Sequence, residues 1–146
     1  MGLKSKTYIT YSPEETKKLA QKLLQDGARI FLLTGQLGTG KSTFVRGLAQ
    51  AVGWKGEVPS PTFTLMKEYP VTAKQYKKQF DLLMHVDLYR LEDEPNPLPL
   101  DEWVEYSRRL LAVEWPKQQW RIPGSVEINF TVLPDQSRQI EVIPLA

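Results

Sequence analysis

One stretch of the chain has the residue types and spacing to hold phosphate. Gly35-Gln36-Leu37-Gly38-Thr39-Gly40-Lys41-Ser42 satisfies G-x-x-x-x-G-K-[ST] at every fixed position. Glycines at Gly35, Gly38 and Gly40 let the backbone turn so that successive amide N–H groups of Leu37, Thr39 and their neighbours point inward around a β-phosphate. A helix beginning near Ser42 adds its unpaired N–H groups and the positive end of its dipole. Lys41 then reaches β- and γ-phosphate oxygens, and the Ser42 hydroxyl can ligate Mg²⁺. The chemistry implied is recognition of a nucleoside triphosphate with its magnesium ion.

Such a site also needs carboxylates, to hold the metal and orient an attacking water. Two acids close apolar stretches: Asp87 in His85-Val86-Asp87-Leu88-Tyr89-Arg90, and Glu114 in Val113-Glu114-Trp115-Pro116. Two readings stand for each. Either the carboxylate is delivered to the same sheet edge as the glycine-rich loop, or it is a strand-end acid meeting solvent or an arginine. Trp115 and Trp120 similarly divide between stacking on a base and filling a core. His85 reads as a packed strand histidine rather than a catalytic base. The Asn-Lys-x-Asp pattern that selects guanine is absent, which disfavours a regulatory GTPase.

The elements that position these residues are legible in outline. Thr7 to Tyr11 alternates like a strand. Ser12-Pro13-Glu14-Glu15 reads as a helix start, with Ser12 capping and Glu15 completing a capping box. Leu19, Ala20, Leu23 and Leu24 continue that helix to Asp26-Gly27. Ile30 to Thr34 is a continuous apolar run, as in a strand buried on both faces. Helical spacing returns from Ser42 to Val52. Strands are expected at 62–69, 82–89 and 110–115, a short helix at 100–106, and a hairpin pairing 126–133 with 138–143. Three prolines between residues 93 and 99 predict a loop.

Composition limits the alternatives. With 146 residues, 41% hydrophobic and 25% charged, the chain reads as one soluble α/β domain, residues 1–146. Apolar runs are too short to span a bilayer, and Met1 to Lys6 lacks the apolar stretch of a secretory signal. The absence of cysteine removes disulfides, thiolate metal sites and cysteine nucleophiles, and a lone histidine removes a multi-histidine centre. A net charge of +2 decides nothing about nucleic acid, and the basic patches at Lys17-Lys18 and Lys67 to Lys78 read as solvated faces.

Four segments taken together resemble one family. They are Gly35 to Phe44, Ser60-Pro61-Thr62-Phe63-Thr64-Leu65, His85 to Leu91, and Val113-Glu114-Trp115-Pro116. Their order and content are similar to the TsaE (YjeE) family, the ATPase component of bacterial tRNA threonylcarbamoyladenosine biosynthesis, over about Thr10 to Val142. The resemblance implies a weakly active Mg-dependent ATPase in the cytoplasm, built as a P-loop NTPase-like three-layer sandwich with a mostly parallel sheet and added antiparallel strands. It implies association with TsaB and TsaD, and contact with tRNA through that complex. By position, Lys41, Ser42 and Thr43 would serve the phosphates and Mg²⁺, and Thr62 would lie on a switch-like loop. Asp87 and Glu114 would stand around metal and water, with Glu114 the metal partner and Trp115 beside the site. The chain departs from the family at Gln36, where Asp is usual, at Ser42, where Thr is commoner, and in the proline-rich stretch between Asp93 and Leu100. Two rivals come from other classes: a P-loop small-molecule kinase, with Arg108-Arg109 the late basic pair, and a nucleotide-dependent switch without turnover.

Overall fold

Ile30-Phe31-Leu32-Leu33-Thr34 has no polar residue before its last position, so it is stable only with both faces covered. It forms β2 (Ile30–Thr34), the middle strand of a seven-stranded sheet. The computed structural model describes residues 3–59, 66–89 and 108–146, together with Glu102. The other strands are β1 (Lys6–Thr10), β3 (Met66–Pro70), β4 (Leu82–Asp87), β5 (Arg109–Glu114), β6 (Ser125–Val132) and β7 (Arg138–Pro144). Their order is β1-β7-β6-β2-β5-β4-β3.

The expected α/β class is found, with antiparallel strands added around a parallel centre, and the sheet as a whole is mixed rather than mostly parallel. Three of its six pairings are parallel, β6 with β2, β2 with β5 and β5 with β4, and the other three are antiparallel. The cause is local connection. The β6–β7 hairpin and the β3–β4 connection add antiparallel neighbours to both flanks of the parallel centre, and β1 closes one edge against β7.

Helix α1 (Pro13–Gln25) starts as its sequence dictates. The Glu15 amide donates to Ser12 Oγ at 3.2 Å, while Glu15 Oε1 accepts from the Tyr11 amide at 2.9 Å. Leu19, Ala20, Leu23 and Leu24 form its buried stripe. Helix α2 (Lys41–Ala51) packs directly on α1. A Cβ on Gly47 would stand 2.7 Å from Lys17 Cα, so only glycine permits this approach. Phe44, Val45, Leu48, Ala49 and Val52 join Phe31, Leu33, Leu110 and Ala112 in the main core on that face of the sheet. A smaller core on the opposite face gathers Ile30, Leu32, Met84, Val86, Leu111 and Val113 around Trp120, from a 3-10 turn at Gln118–Trp120.

The polar connection between β3 and β4 contains a single helical turn, α3 (Lys74–Lys77), anchored by buried Tyr76. Arg108 clamps this corner, donating to Asp81 Oδ1 and Oδ2 and to the Lys77 and Lys78 carbonyls. The expected helix at 100–106, the loop at 93–99 and the segment 60–65, which holds Thr62, lie outside the described residues, Glu102 apart.

Candidate functional site

Parallel register brings the predicted residues together. Leu33, two residues before Gly35, is the partner of Glu114, and Asp87 is the partner of Glu114 on the other side. The glycine-rich loop after β2 and the acids ending β4 and β5 therefore share one sheet edge, the carboxyl-terminal edge where parallel sheets place ligands. Side-chain alternation puts Glu114 and Asp87 on the face that carries α2, in line with Leu110, Ala112 and Leu83.

Between Gly35 and Ser42 the backbone does the shaping. Gly40 takes φ 114° as N-cap of α2 and supplies no side-chain cap, which leaves the first amides of the helix directed at the cleft. Gly35 is required by space: a Cβ there would meet Phe130 O and Thr39 Oγ1, each at 2.8 Å. Thr39 is buried and ties the loop internally, donating to Gln36 O at 2.8 Å. Leu37, by contrast, is 72% exposed at the loop tip.

A cleft of about 560 Å³ opens over this loop. Its floor is Leu37, Gly38, Gly40, Lys41, Ser42 and Thr43. One wall is Asp87, Tyr89, Glu114 and Trp115. The other comes from Thr10, Tyr11, Ser12, Pro13 and Thr16, with Gln136 and Arg138 from the β6–β7 turn and the start of β7. Gly35 and Thr39 shape the floor from behind. Trp120 is buried in the core on the other face, so of the two tryptophans weighed as base-stacking groups only Trp115 reaches the cleft.

Lys41 is buried, donates to the Gly35 and Gln36 carbonyls, and lies 4.0 Å from the centre of the Trp115 ring. Burial lowers its pKa from the ordinary lysine value, while the negative charges of Glu114 and Asp87 pull it back up. Trp115 holds a left-handed backbone, φ 57°, that a bulky residue adopts at a cost of about 1–3 kcal/mol. It is kept there by its amide bond to Leu33 O at 3.1 Å and by Tyr89, whose ring centre lies 5.0 Å away.

Asp87 and Glu114 are each 4% exposed. Asp87 Oδ1 accepts from the Tyr89 amide at 2.9 Å. Glu114 Oε2 lies 2.5 Å from Nε2 of His85, which is wholly buried. His85 is thus on a strand and packed, as read from the sequence, but its contact with Glu114 was not foreseen. Nor was the wall of Thr10, Tyr11, Gln136 and Arg138, which exists because β1 and β7 pair Thr10 with Arg138. The basic pair Arg108-Arg109 stands at the start of β5, the opposite end of that strand from Glu114.

Two carboxylates, Asp87 and Glu114, share the cleft with the Lys41 ammonium and the Arg138 guanidinium, and the Ser42 hydroxyl opens onto it. Among the described residues no group of three or more His, Cys, Asp or Glu could enclose a metal ion. That donor set fits Mg²⁺, which is commonly held by one or two protein oxygens together with phosphates and water, rather than by a complete protein cage.

The family described as "Threonylcarbamoyl adenosine biosynthesis protein TsaE" matches residues 10–140. The chain belongs to the TsaE family. It is 34% identical over 141 residues to the tRNA threonylcarbamoyladenosine biosynthesis protein TsaE of Aquifex aeolicus, covering 94% of this chain and 95% of that one. It is 40% identical over 116 residues to the protein of the same name in Bacillus subtilis, covering 77% of this chain and 68% of that protein. The crystal structure of Bacillus subtilis YdiB superposes with a TM-score of 0.74 at 29% identity, covering 100% of this chain and 89% of that one. The cleft is therefore the candidate site of a TsaE-family protein, and no helix among the described residues is long and apolar enough to cross a membrane.

Proposed function

We propose that this protein is the Mg-dependent ATPase subunit of a cytoplasmic tRNA threonylcarbamoyladenosine-forming complex. In this reading it has the P-loop NTPase three-layer architecture, works with TsaB and TsaD, and meets tRNA through them. The observation that carries the proposal is the β2–β5–β4 register, which sets Lys41, Ser42, Asp87 and Glu114 around one cleft in a chain of this family.

The chain's own groups divide the work. Amides of Gly35 to Thr43 surround the β- and γ-phosphates, as the bare N-terminus of α2 favours. Lys41 leaves the Gly35 carbonyl and the Trp115 face to bind phosphate oxygens, a better partner for an ammonium than neutral groups. Ser42 and Glu114 would hold Mg²⁺, with Asp87 beside them. A Mg²⁺ ion held there would supply neutralisation of the charge on the phosphoryl group. Asp87, with Thr62, would orient the attacking water. The nucleoside lies toward Tyr11, Gln136 and Arg138, where an exposed ring and a guanidinium offer surfaces to a base.

Calorimetry on Lys41→Ala tests the central claim. We expect Mg·ATP binding to weaken by at least about 100-fold with the fold intact, the loss of charge-assisted bonds worth about 3 kcal/mol in sum. Unchanged affinity would remove the claim. Co-purification with TsaB and TsaD in the presence of ATP tests the assembly. Failure to associate in any nucleotide state, together with phosphate transfer to a small acceptor, would favour a kinase instead.

A further inference from the structure

We infer that His85 is a positioning residue for the Glu114 carboxylate, fixing which of its oxygens faces the cleft and so setting the affinity of the site for its divalent cation. The inference rests on the reading of Glu114 as the metal partner. Its own support is geometric. His85 is wholly buried on β4, with Nε2 2.5 Å from Glu114 Oε2 on the neighbouring strand.

A carboxylate oxygen only accepts, so Nε2–H donates to it. Among the described residues His85 Nδ1 has no hydrogen-bond partner, so the ring's polar contact is with Glu114 alone. The strand register makes room for it. The residue opposite His85 on β5 is Ala112, whose small side chain lets the imidazole lie alongside and reach Glu114 two residues further on. A buried glutamate without such a donor would carry an unsatisfied charge at considerable cost. With Oε2 held by the imidazole, Oε1 is the oxygen left to the cleft that Glu114 lines. A histidine used only as core filler would gain nothing from sitting where its one polar contact is an acid of the cleft. Outer-shell partners of this kind orient metal-binding carboxylates, and their loss costs about 10- to 100-fold in metal affinity.

The test measures Mn²⁺ binding to the ADP complex by electron paramagnetic resonance, so that no turnover is needed. Three variants at the position are compared with Glu114→Gln. His85→Leu removes the donor. His85→Asn keeps an amide too short to reach Oε2. His85→Gln carries its Nε2 donor at about the reach of the imidazole Nε2. Mn²⁺ affinity should fall about tenfold in His85→Leu and His85→Asn and recover to within about threefold of wild type in His85→Gln. ADP affinity in EDTA should stay within about twofold throughout, as expected when phosphate contacts are untouched. If His85→Leu fails to fold, the Asn–Gln pair carries the comparison. Glu114→Gln weakening Mn²⁺ while His85→Asn does not, or Gln doing no better than Asn, would overturn the inference with the metal role of Glu114 intact. Glu114→Gln leaving Mn²⁺ affinity unchanged would overturn that metal role itself, and the positioning role with it.

Discussion

The two walls of the cleft are built by opposite means. The wall of Asp87 and Glu114 stands on parallel strands at the centre of the sheet, and its acids are almost fully withdrawn from water. The facing wall comes from the antiparallel β1–β7 edge and the start of α1, where Tyr11 is 69% exposed and Arg138 bonds mainly to the loop carbonyls of Gln136 and Gly38. Buried charges interact strongly and cannot rearrange cheaply, which suits groups that must meet a metal and a reacting phosphate in fixed geometry. Exposed polar and aromatic groups contribute modest, separable increments, which suits recognition of a nucleoside. Within one cleft, then, the charged groups placed for chemistry are the buried ones, and the aromatic group placed for affinity is exposed.

Glu114→Ala tests that division where the effect should be greatest. We expect Mg-dependent ATP turnover to fall roughly 100-fold, the scale of removing one preorganised electrostatic group. Nucleotide affinity in EDTA should stay within about twofold, because the phosphate-binding amides remain. Equal turnover in variant and wild type would make Glu114 an ordinary strand-end acid. Arg138→Ala probes the opposite wall. It should weaken ATP about three- to tenfold both with and without Mg²⁺, the value of a half-buried guanidinium contact of about 1 kcal/mol. A loss seen only with Mg²⁺ would mean that the walls are not separable.

What was legible in the sequence follows the same division. The glycine-rich loop could be read because its chemistry is local: glycines, Lys41 and Ser42 lie within one turn of chain. The start of α1 was equally local, with Ser12 and Glu15 three residues apart. Asp87 and Glu114 could be nominated as strand-end acids, but an arginine or solvent partner was as consistent with the sequence. Only the pairing of Leu33 and Asp87 with Glu114 removes that ambiguity. The packing of His85 follows from its place in an apolar strand, yet nothing in its sequence neighbours announces an acid on another strand. Arg138 was invisible as a cleft residue because its place depends on β1, from the far end of the chain, pairing with β7. The same long-range pairing explains the sheet. Local patterns foretold the β6–β7 hairpin, but not that β1 and β3 would add two more antiparallel pairings at the edges.

A weaker effect is expected at the start of α1, where helix and cleft share a residue. Ser12 lines the cleft, but its Oγ also accepts from the Glu15 amide. If the hydroxyl's role is to cap the helix, Ser12→Ala should lower unfolding stability by about 1 kcal/mol in urea titration, and ATP affinity should change by less than about twofold. Helix α1 would still be held by its buried stripe of Leu19, Ala20, Leu23 and Leu24, so the wall would keep its shape. A loss of ATP affinity as large as that of Arg138→Ala, with stability unchanged, would assign the hydroxyl to the ligand instead. The exposed wall would then act through its helix start as well as its arginine.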